Sequence, residues 1–148
     1  MNALHLARPD DLDRLLPLVA AFHATRGIEQ DDTTRRAALL PLLEGLPHGV
    51  AYLIGPRRSP VGYIVVSFGY SVERGGIEGC VDEFFIREKV RGRGMGTEVL
   101  LGLLPALEQH GIKALHLEVA HDNTAAKRLY QRAGFRARDG YHLMTRTA

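Results

Sequence analysis

Apolar residues near the start of the chain recur every three or four positions, which is the spacing of an amphipathic helix. This pattern follows a Pro-Asp corner at residues 9–11 that offers helix caps, and it stops at Gly27. A second helical segment is predicted over residues 32–45, where Pro41 is expected to interrupt it. The apolar positions of the first helix are Leu12, Leu15, Leu16, Val19 and Phe22.

From residue 50 onward the pattern changes to runs of β-branched and aromatic residues, which are typical of strands. Residues 50–55 and 61–72 form two such runs, and the turn between them, which contains proline and arginine, predicts a hairpin. Residues 80–86 form a further run whose centre carries two carboxylates and two aromatic rings. A weaker alternation over residues 3–7 predicts a short strand before the first helix.

The second half of the chain alternates between strands and helices. A glycine-rich loop leads into a predicted helix over residues 97–110, which Gly111 ends. The mixture predicts an α/β fold, with an antiparallel sheet early and a β-α-β crossover late. The remaining predicted elements are a strand at residues 112–120, a capped helix at 122–134 and a closing hairpin at 135–147 with its turn at Asp139 and Gly140.

The composition fits one domain. With 148 residues, of which 45% are hydrophobic, the chain can bury one continuous core, so we expect a single domain over residues 1–148. The 19 Lys and Arg residues against 17 Asp and Glu residues leave a formal charge of +2, too small for the field of a nucleic-acid-binding protein. No run reaches the ~18 apolar residues of a membrane-spanning helix, and the first ten residues contain no secretion-signal run. We therefore expect a cytoplasmic protein with no nucleic-acid or membrane partner.

Cysteine and histidine show no metal-binding pattern in this sequence. Cys80 is the only cysteine, so it cannot form an internal disulfide. The seven histidines lack the close spacing of metal ligands, and we expect no metal.

The loop before the predicted third helix is rich in glycine and arginine. Backbone N–H groups in the first turn of a helix lack intrahelical acceptors, and glycines let the backbone approach an anion closely. A pyrophosphate is therefore a natural occupant, although an ordinary turn with solvated arginines would give the same sequence. A dinucleotide fingerprint needs a glycine at Thr97 and a Walker loop needs a lysine before it, so both are excluded. The loop consists of Arg91, Gly92, Arg93, Gly94, Met95, Gly96 and Thr97.

Two motifs in this order resemble those of the GNAT family of N-acetyltransferases. The first is Arg-x-x-Gly-x-Gly after an apolar strand, at residues 91–96. The second is Asn-x-x-Ala-x-x-Leu-Tyr-x-x-x-Gly-Phe, at residues 123–135. The resemblance extends from Leu4 to Thr147 and is most specific between Val81 and Phe135. The second motif consists of Asn123, Ala126, Leu129, Tyr130, Gly134 and Phe135.

The resemblance implies a mixed, mostly antiparallel, twisted sheet of six to seven strands flanked by about four helices. It implies that the sheet splays between its fourth and fifth strands, here residues 80–86 and 114–120, and that the pantetheine arm of acetyl-CoA lies in the gap. Backbone groups of Phe84, Phe85 and Ile86 would then pair with the pantetheine amides. The resemblance also allows a homodimer, because dimers are common in this family.

The same resemblance assigns the rest of the donor site. The loop from Gly92 to Thr97 would hold the pyrophosphate of coenzyme A. Asn123 would contact the cofactor arm, Ala126 would keep the surface low enough for the ligand, and Tyr130 would lie near the thioester sulfur. The outer phosphate would meet a basic side chain, for which three candidates stay open: Lys89, Arg93 and Lys127.

An alkylammonium group, with a reference pKa of about 10.4, must lose a proton before its nitrogen can attack a thioester. Asp82 or Glu83 can take that proton, and we favour Asp82. Neighbouring strand residues point to opposite faces, so only one of the two is expected to meet the acceptor unless a bulge intervenes. The run Asp82-Glu83-Phe84-Phe85 resembles the acidic strand of polyamine acetyltransferases, with the order of the acids reversed. The alternative is a carboxylate pair that forms ion pairs with arginines.

Tyr130 is the candidate general acid. It follows Asn123 by seven positions, which places both on one helix face, and a phenol can protonate a departing thiolate. The alternative is a tyrosine packed beside Leu129 and Phe135. The serines lack a nucleophile-elbow context and Cys80 lacks a base, so we expect direct attack in a ternary complex.

Further carboxylates predict the nature of the acceptor. His116 and Glu118 share a face of the predicted fifth strand and are expected to line the acceptor pocket, which the first two helices would wall. Together with Asp82 and Glu83, Glu118 favours a cationic acceptor. The sequence therefore predicts acetyl transfer from acetyl-CoA to a primary amine of a small polyamine-like or aminoglycoside-like molecule. Acetylation of a protein or peptide amine and a non-catalytic acyl-CoA-binding module are the alternatives.

Overall fold

Strands and helices follow one another along residues 4–148, the part of the chain that the computed structural model describes. Four α-helices are present in this range, as the sequence predicts, and a glycine with positive φ follows each helix two residues after its end. Helix α2 continues through Pro41, because this proline lies in the last turn and costs the helix only one hydrogen bond. The elements are β1 (Leu4–Leu6), α1 (Leu12–Thr25), α2 (Asp32–Leu43), β2 (Gly49–Ile54), β3 (Gly62–Ser71), β4 (Gly76–Ile86), α3 (Met95–Gln109), β5 (Ile112–Leu117) and α4 (Thr124–Arg132).

The strands form one mixed sheet in the order β1-β2-β3-β4-β5, which is also their order along the chain. Strands β1 to β4 pair antiparallel, whereas β4 and β5 pair parallel. A parallel pair needs a long crossover, and here α3 supplies it. The predicted antiparallel sheet with a late β-α-β unit is therefore confirmed.

Strands β4 and β5 separate part-way along β4. Their ladder runs from Ile77 to Val81 of β4, but β4 continues along β3 as far as Ile86. Among the described residues, 82–86 thus have a strand neighbour on one side only. The predicted splay between the fourth and fifth strands is confirmed, and it opens beside the two carboxylates.

The predicted number of strands, six to seven, is wrong for the described residues, which form five. Residues 139–140 do form a turn, but the segments beside it belong to no ladder. The alternating pattern there is permissive for a strand, yet a strand also needs a hydrogen-bonding neighbour and a surface that buries its apolar side chains. Neither is provided, since Tyr141, Leu143 and Met144 are 73%, 74% and 91% exposed.

Apolar side chains pack on both faces of the sheet. Along β3, Tyr63 and Val65 face the cluster beneath α1 and α2, whereas Ile64 and Val66 face the cluster beneath α3 and α4. This explains the unbroken apolar run of the strand, because both faces are covered. None of the helices in residues 4–148 is long and apolar enough to cross a membrane.

Gly62 marks a very close approach of β3 and β4. A Cβ atom at this position would lie 2.2 Å from the Phe85 carbonyl oxygen, far inside van der Waals contact. Gly69, in the same strand, has no heavy atom within 4 Å of its Cβ position. The two strands therefore lie this close only because residue 62 has no side chain.

We expect Gly62→Ala to lower the free energy of unfolding by about 2–3 kcal/mol, because the new methyl group pushes β3 away from β4. Gly69→Ala is the matched control, and it should change stability by no more than about 1 kcal/mol. Urea denaturation of both variants measures the difference. Equal midpoints for the two variants would contradict the close approach.

Candidate active site

A bulge in β4 lies where the strand leaves β5. Val66 pairs with Val81 and Val65 pairs with Glu83, so Asp82 is an extra residue in the ladder between β3 and β4. The bulge breaks the simple alternation of side chains that neighbouring strand residues would otherwise follow. As a result, Asp82 and Glu83 both line the same cavity.

The cavity has a volume of about 230 Å³ and lies between α1, α2 and the strands β3 and β4. Helices α1 and α2 both contribute side chains to this cavity, and that it receives the acceptor stays a prediction. Apart from the two acids, the wall combines three further polar side chains, His23, Gln30 and Arg35, with an apolar remainder. The apolar part comes from Val19, Ala38, Leu39, Leu42 and Val65.

Two buried side chains form hydrogen bonds with the carboxylate of Glu83. His23 Nε2 lies 2.7 Å from one carboxylate oxygen, and the Tyr63 hydroxyl donates to the other at 2.7 Å. Tyr63 is fully buried, and this burial, followed by the charge of Glu83, raises the pKa of the phenol. Tyr63 is therefore a permanent hydrogen-bond donor that fixes the position of Glu83.

Asp82 lies in a different environment from Glu83. It is exposed, yet desolvation of its carboxylate and the charge of Glu83 raise its pKa, and Glu118 acts in the same direction. Arg26, just after α1, opposes these effects. A carboxylate with a raised pKa is a better base than an ordinary aspartate.

Tyr130 lies half-buried on α4. Its ring packs edge-on against Phe135, with 5.9 Å between the centroids, so the packing interpretation is correct as far as the ring is concerned. Burial raises the pKa of its phenol, against the charge of Arg26. The hydroxyl is thus protonated at neutral pH, and one guanidinium group acts on both Tyr130 and Asp82.

The three glycines of the loop before α3 have two different roles. Gly92 and Gly94 adopt positive φ of 78° and 77°, and no heavy atom lies within 4 Å of their Cβ positions. Gly96 instead allows α3 to pack against α4, because a Cβ there would lie 2.5 Å from the Leu129 side chain. The open backbone of Gly92 and Gly94 leads into the start of α3, where the side-chain oxygen of Thr97 is buried without a partner in the described residues.

Arg91 connects this loop to the end of β4. Its Nε donates to the Ile86 carbonyl at 2.7 Å, and its guanidinium lies 5.5 Å from the centre of the Phe85 ring. The Phe85 carbonyl faces Gly62 of β3, and alternate residues of a strand direct their polar groups to the same side. The backbone groups of Phe84 and Ile86 therefore face the gap, whereas those of Phe85 face β3.

The remaining donor-site candidates lie in two places, the start of α4 and the glycine loop with its approach. Asn123 caps this helix, since its side-chain oxygen accepts from the backbone N–H of Ala126 at 3.1 Å. Lys127 donates to the backbone carbonyl of His121. Lys89 and Arg93 are exposed on the glycine loop and its approach. Which of the three cations meets a phosphate stays a prediction.

His116 and Glu118 do not share one environment. His116 Nε2 lies 2.7 Å from a carboxylate oxygen of Glu78, which also binds Arg74, and the hydrogen bond from His116 lowers the pKa of Glu78. Glu118 is exposed just beyond β5 and acts on Asp82 through its charge. Neither is among the described residues that line the cavity of about 230 Å³.

Sequence reasoning missed His23, Arg35 and Tyr63. His23 continues the apolar face of α1 one turn after Val19, so a polar residue on a buried stripe was the available signal. Tyr63 lies in an apolar run, and nothing in that pattern predicts its contact with Glu83. No group of three or more His, Cys, Asp or Glu side chains within residues 4–148 is arranged to hold a metal ion.

Comparison with known proteins defines the class. The model of the Acetyltransferase (GNAT) family matches residues 17–135, which include β4, the glycine loop and α4. The protein therefore belongs to the GNAT acetyltransferase family.

Individual relatives agree with this assignment. The spermine/spermidine N(1)-acetyltransferase of Bacillus subtilis is 41% identical over 56 residues, which cover 37% of this chain and 37% of that protein. An integron cassette protein from the mobile metagenome of Cole Harbour Salt Marsh has a TM-score of 0.85 and 32% identity, covering 98% of this chain and 90% of that one. A probable acetyltransferase has a TM-score of 0.87 at 18% identity, covering 98% and 97% of the two chains, and shares the fold.

Proposed function

We propose that the protein transfers an acetyl group from acetyl-CoA to a primary amine of a small cationic molecule, of the polyamine type. The observation that carries this proposal is that Asp82 and Glu83 line one cavity at the point where β4 leaves β5. Two carboxylates in a small cavity suit an acceptor with more than one positive charge. The name of the Bacillus subtilis relative, which matches over part of its length, supports the same acceptor class.

The donor would lie in the gap between β4 and β5. The backbone groups of Phe84 and the N–H of Ile86 face the gap and suit the amides of a pantetheine arm, whereas the Ile86 carbonyl already accepts from Arg91. The open backbone around Gly94 suits a pyrophosphate at the start of α3. Acetyl-CoA supplies the acetyl thioester that the reaction consumes. The gap and the acid-lined cavity both border residue 82, which favours attack by the acceptor across this point.

Asp82 and Tyr130 would carry the proton transfers. Asp82 takes a proton from the acceptor ammonium group, and the free nitrogen attacks the thioester carbonyl carbon in the ternary complex. As the C–N bond forms, the C–S bond breaks, and the Tyr130 hydroxyl gives its proton to the leaving thiolate. The raised pKa of Asp82 supports the first role, and the protonated state of the Tyr130 phenol supports the second.

A thermal shift assay tests the donor. We expect acetyl-CoA at about 100 times its Kd to stabilise the protein by about 2.7 kcal/mol, which raises Tm by several degrees. Free adenosine nucleotides are the control and should stabilise it much less. The absence of any shift with acetyl-CoA would refute the proposed donor.

Thiol release over a panel of amines tests the acceptor. We expect 1,4-diaminobutane and spermidine to be acetylated at a higher kcat/KM than a lysine-containing peptide, because the cavity is small and lined by carboxylates. An aminoglycoside belongs in the same panel. A preference for the peptide would favour the alternative of protein acetylation, and no release with any amine would favour a non-catalytic acyl-CoA-binding module.

Asp82→Asn tests the base. We expect kcat/KM at neutral pH to fall about 10²- to 10⁴-fold, and the ratio of parent to variant rates to approach one as pH falls through the raised pKa of Asp82. The folded state raises this pKa, so the ionised side chain opposes folding above the unfolded pKa, and the variant should keep or raise Tm at pH 7. The exposed Glu73→Gln is the control. A ratio that stays constant with pH would exclude Asp82 as the base.

Tyr130→Phe tests the acid. We expect kcat to fall about 10²- to 10⁴-fold, with little change in the KM for acetyl-CoA, because the hydroxyl acts on the leaving group. Tyr52→Phe is a matched control, since Tyr52 is also a half-buried tyrosine packed against the same core cluster. If Tyr130→Phe released thiol as fast as the parent protein, the general-acid role would be abandoned.

A further inference from the structure

A chain of polar side chains runs from the surface of α2 to Glu83 behind the cavity. Asp32 pairs with Arg35 at 3.0 Å, and Arg35 Nε donates to His23 Nδ1 at 3.3 Å. His23 Nε2 in turn lies 2.7 Å from Glu83, which Tyr63 also binds. His23 and Arg35 are only 7% and 8% exposed, and both line the cavity.

The chain selects one tautomer of His23. An arginine Nε always carries its proton, so it can only donate, and His23 Nδ1 must accept. In the neutral imidazole the proton then resides on Nε2, which donates to Glu83. Arg35 therefore decides that the His23 nitrogen facing the carboxylate is the one that carries the proton.

The charges around His23 leave Glu83 uncompensated on the cavity side. Glu83 and Asp82 face the imidazole from β4, Tyr63 from β3, Arg35 from α2, and Arg26 lies nearby after α1. The charge of Arg35 is opposed by Asp32, and a neutral imidazole adds none. Each oxygen of Glu83 has one donor, so its remaining lone pairs are free for a ligand.

We propose that His23 is a positioning residue for the acceptor: fixed by Arg35 as the Nε2–H tautomer, it holds Glu83 so that this carboxylate binds the non-reacting ammonium group of a diamine. The proposal rests on the proposed function and deepens it. Asp82 is exposed and serves the reacting amine, whereas Glu83 cannot leave its two donors. The two neighbouring acids thus take different nitrogen atoms of one substrate.

Paired substitutions at His23 test the proposal. His23→Gln retains a donor for Glu83 and an acceptor for Arg35, whereas His23→Leu has a similar size and neither group. The readout is the preference for 1,4-diaminobutane over butylamine, measured as a ratio of kcat/KM values. We expect His23→Leu to lower this preference about tenfold through the KM of the diamine, and His23→Gln to keep it within about threefold. An unchanged preference in His23→Leu, or no rescue in His23→Gln, would overturn the proposal.

Nitrogen NMR of His23 gives a readout that needs no turnover. We expect a protonated Nε2 and an unprotonated Nδ1 in the parent protein at pH 7, and a mixture of forms in Arg35→Met. A protonated Nδ1 in the parent would overturn the tautomer assignment, even if His23→Leu did not fold. Titration of 1,4-diaminobutane should shift the His23 signals to saturation, and butylamine should shift them much less.

The two proposals fail in distinguishable ways. If no amine is acetylated, the proposed function fails, while the NMR titration still decides whether Glu83 and His23 bind a diamine. If acetylation occurs but the diamine preference does not depend on His23, only the positioning role fails.

Discussion

The extra residue in β4 decides which side chains face the cavity. Without the bulge at Asp82, the period of two along the strand would send this carboxylate and that of Glu83 to opposite faces of the sheet. The bulge lies at the end of the ladder to β5, where β4 keeps only its neighbour β3. The same short stretch of chain therefore opens the gap and brings two acids to its rim. The close approach at Gly62 and the buried Tyr63 hold β4 in that position from the other side.

The two acids differ because of what surrounds them. Glu83 is bound by Tyr63, which belongs to the core cluster beneath α1 and α2, and by the buried His23. Asp82 has no such partners: desolvation of its carboxylate, followed by the charge of Glu83, raises its pKa, and Arg26 is the main opposing charge. Two neighbouring carboxylates in different environments can take different chemical roles. Here the difference between the two environments follows from one residue of register.

The sequence was sufficient for what local periodicity determines. The spacing of apolar residues and the glycines after each helix located all four helices, and runs of β-branched and aromatic residues located the strands between residues 50 and 86. The sequence was insufficient where a feature depends on contacts between residues far apart in the chain. The bulge depends on the register between β3 and β4, and His23 contacts Glu83, which lies 60 positions later in the chain.

Residues 135–147 show the converse, since their alternation resembles a strand although no described strand pairs with them. The roles of Gly92 and Gly94 also differ from that of Gly96, although the three look equivalent in the motif.

The hydrogen bond from Arg91 to the Ile86 carbonyl restrains the start of the glycine loop. It closes a small ring between the end of β4 and the start of the glycine loop through the Arg91 side chain, whose guanidinium also lies 5.5 Å from the centre of the Phe85 ring. A closed ring has fewer conformations than an open loop of the same length. The backbone that we propose for pyrophosphate binding is therefore restrained without a ligand, and such a restraint lowers the entropic cost of binding. A restraint at Arg91 thus preorganises the proposed site at the glycines that follow it in the chain.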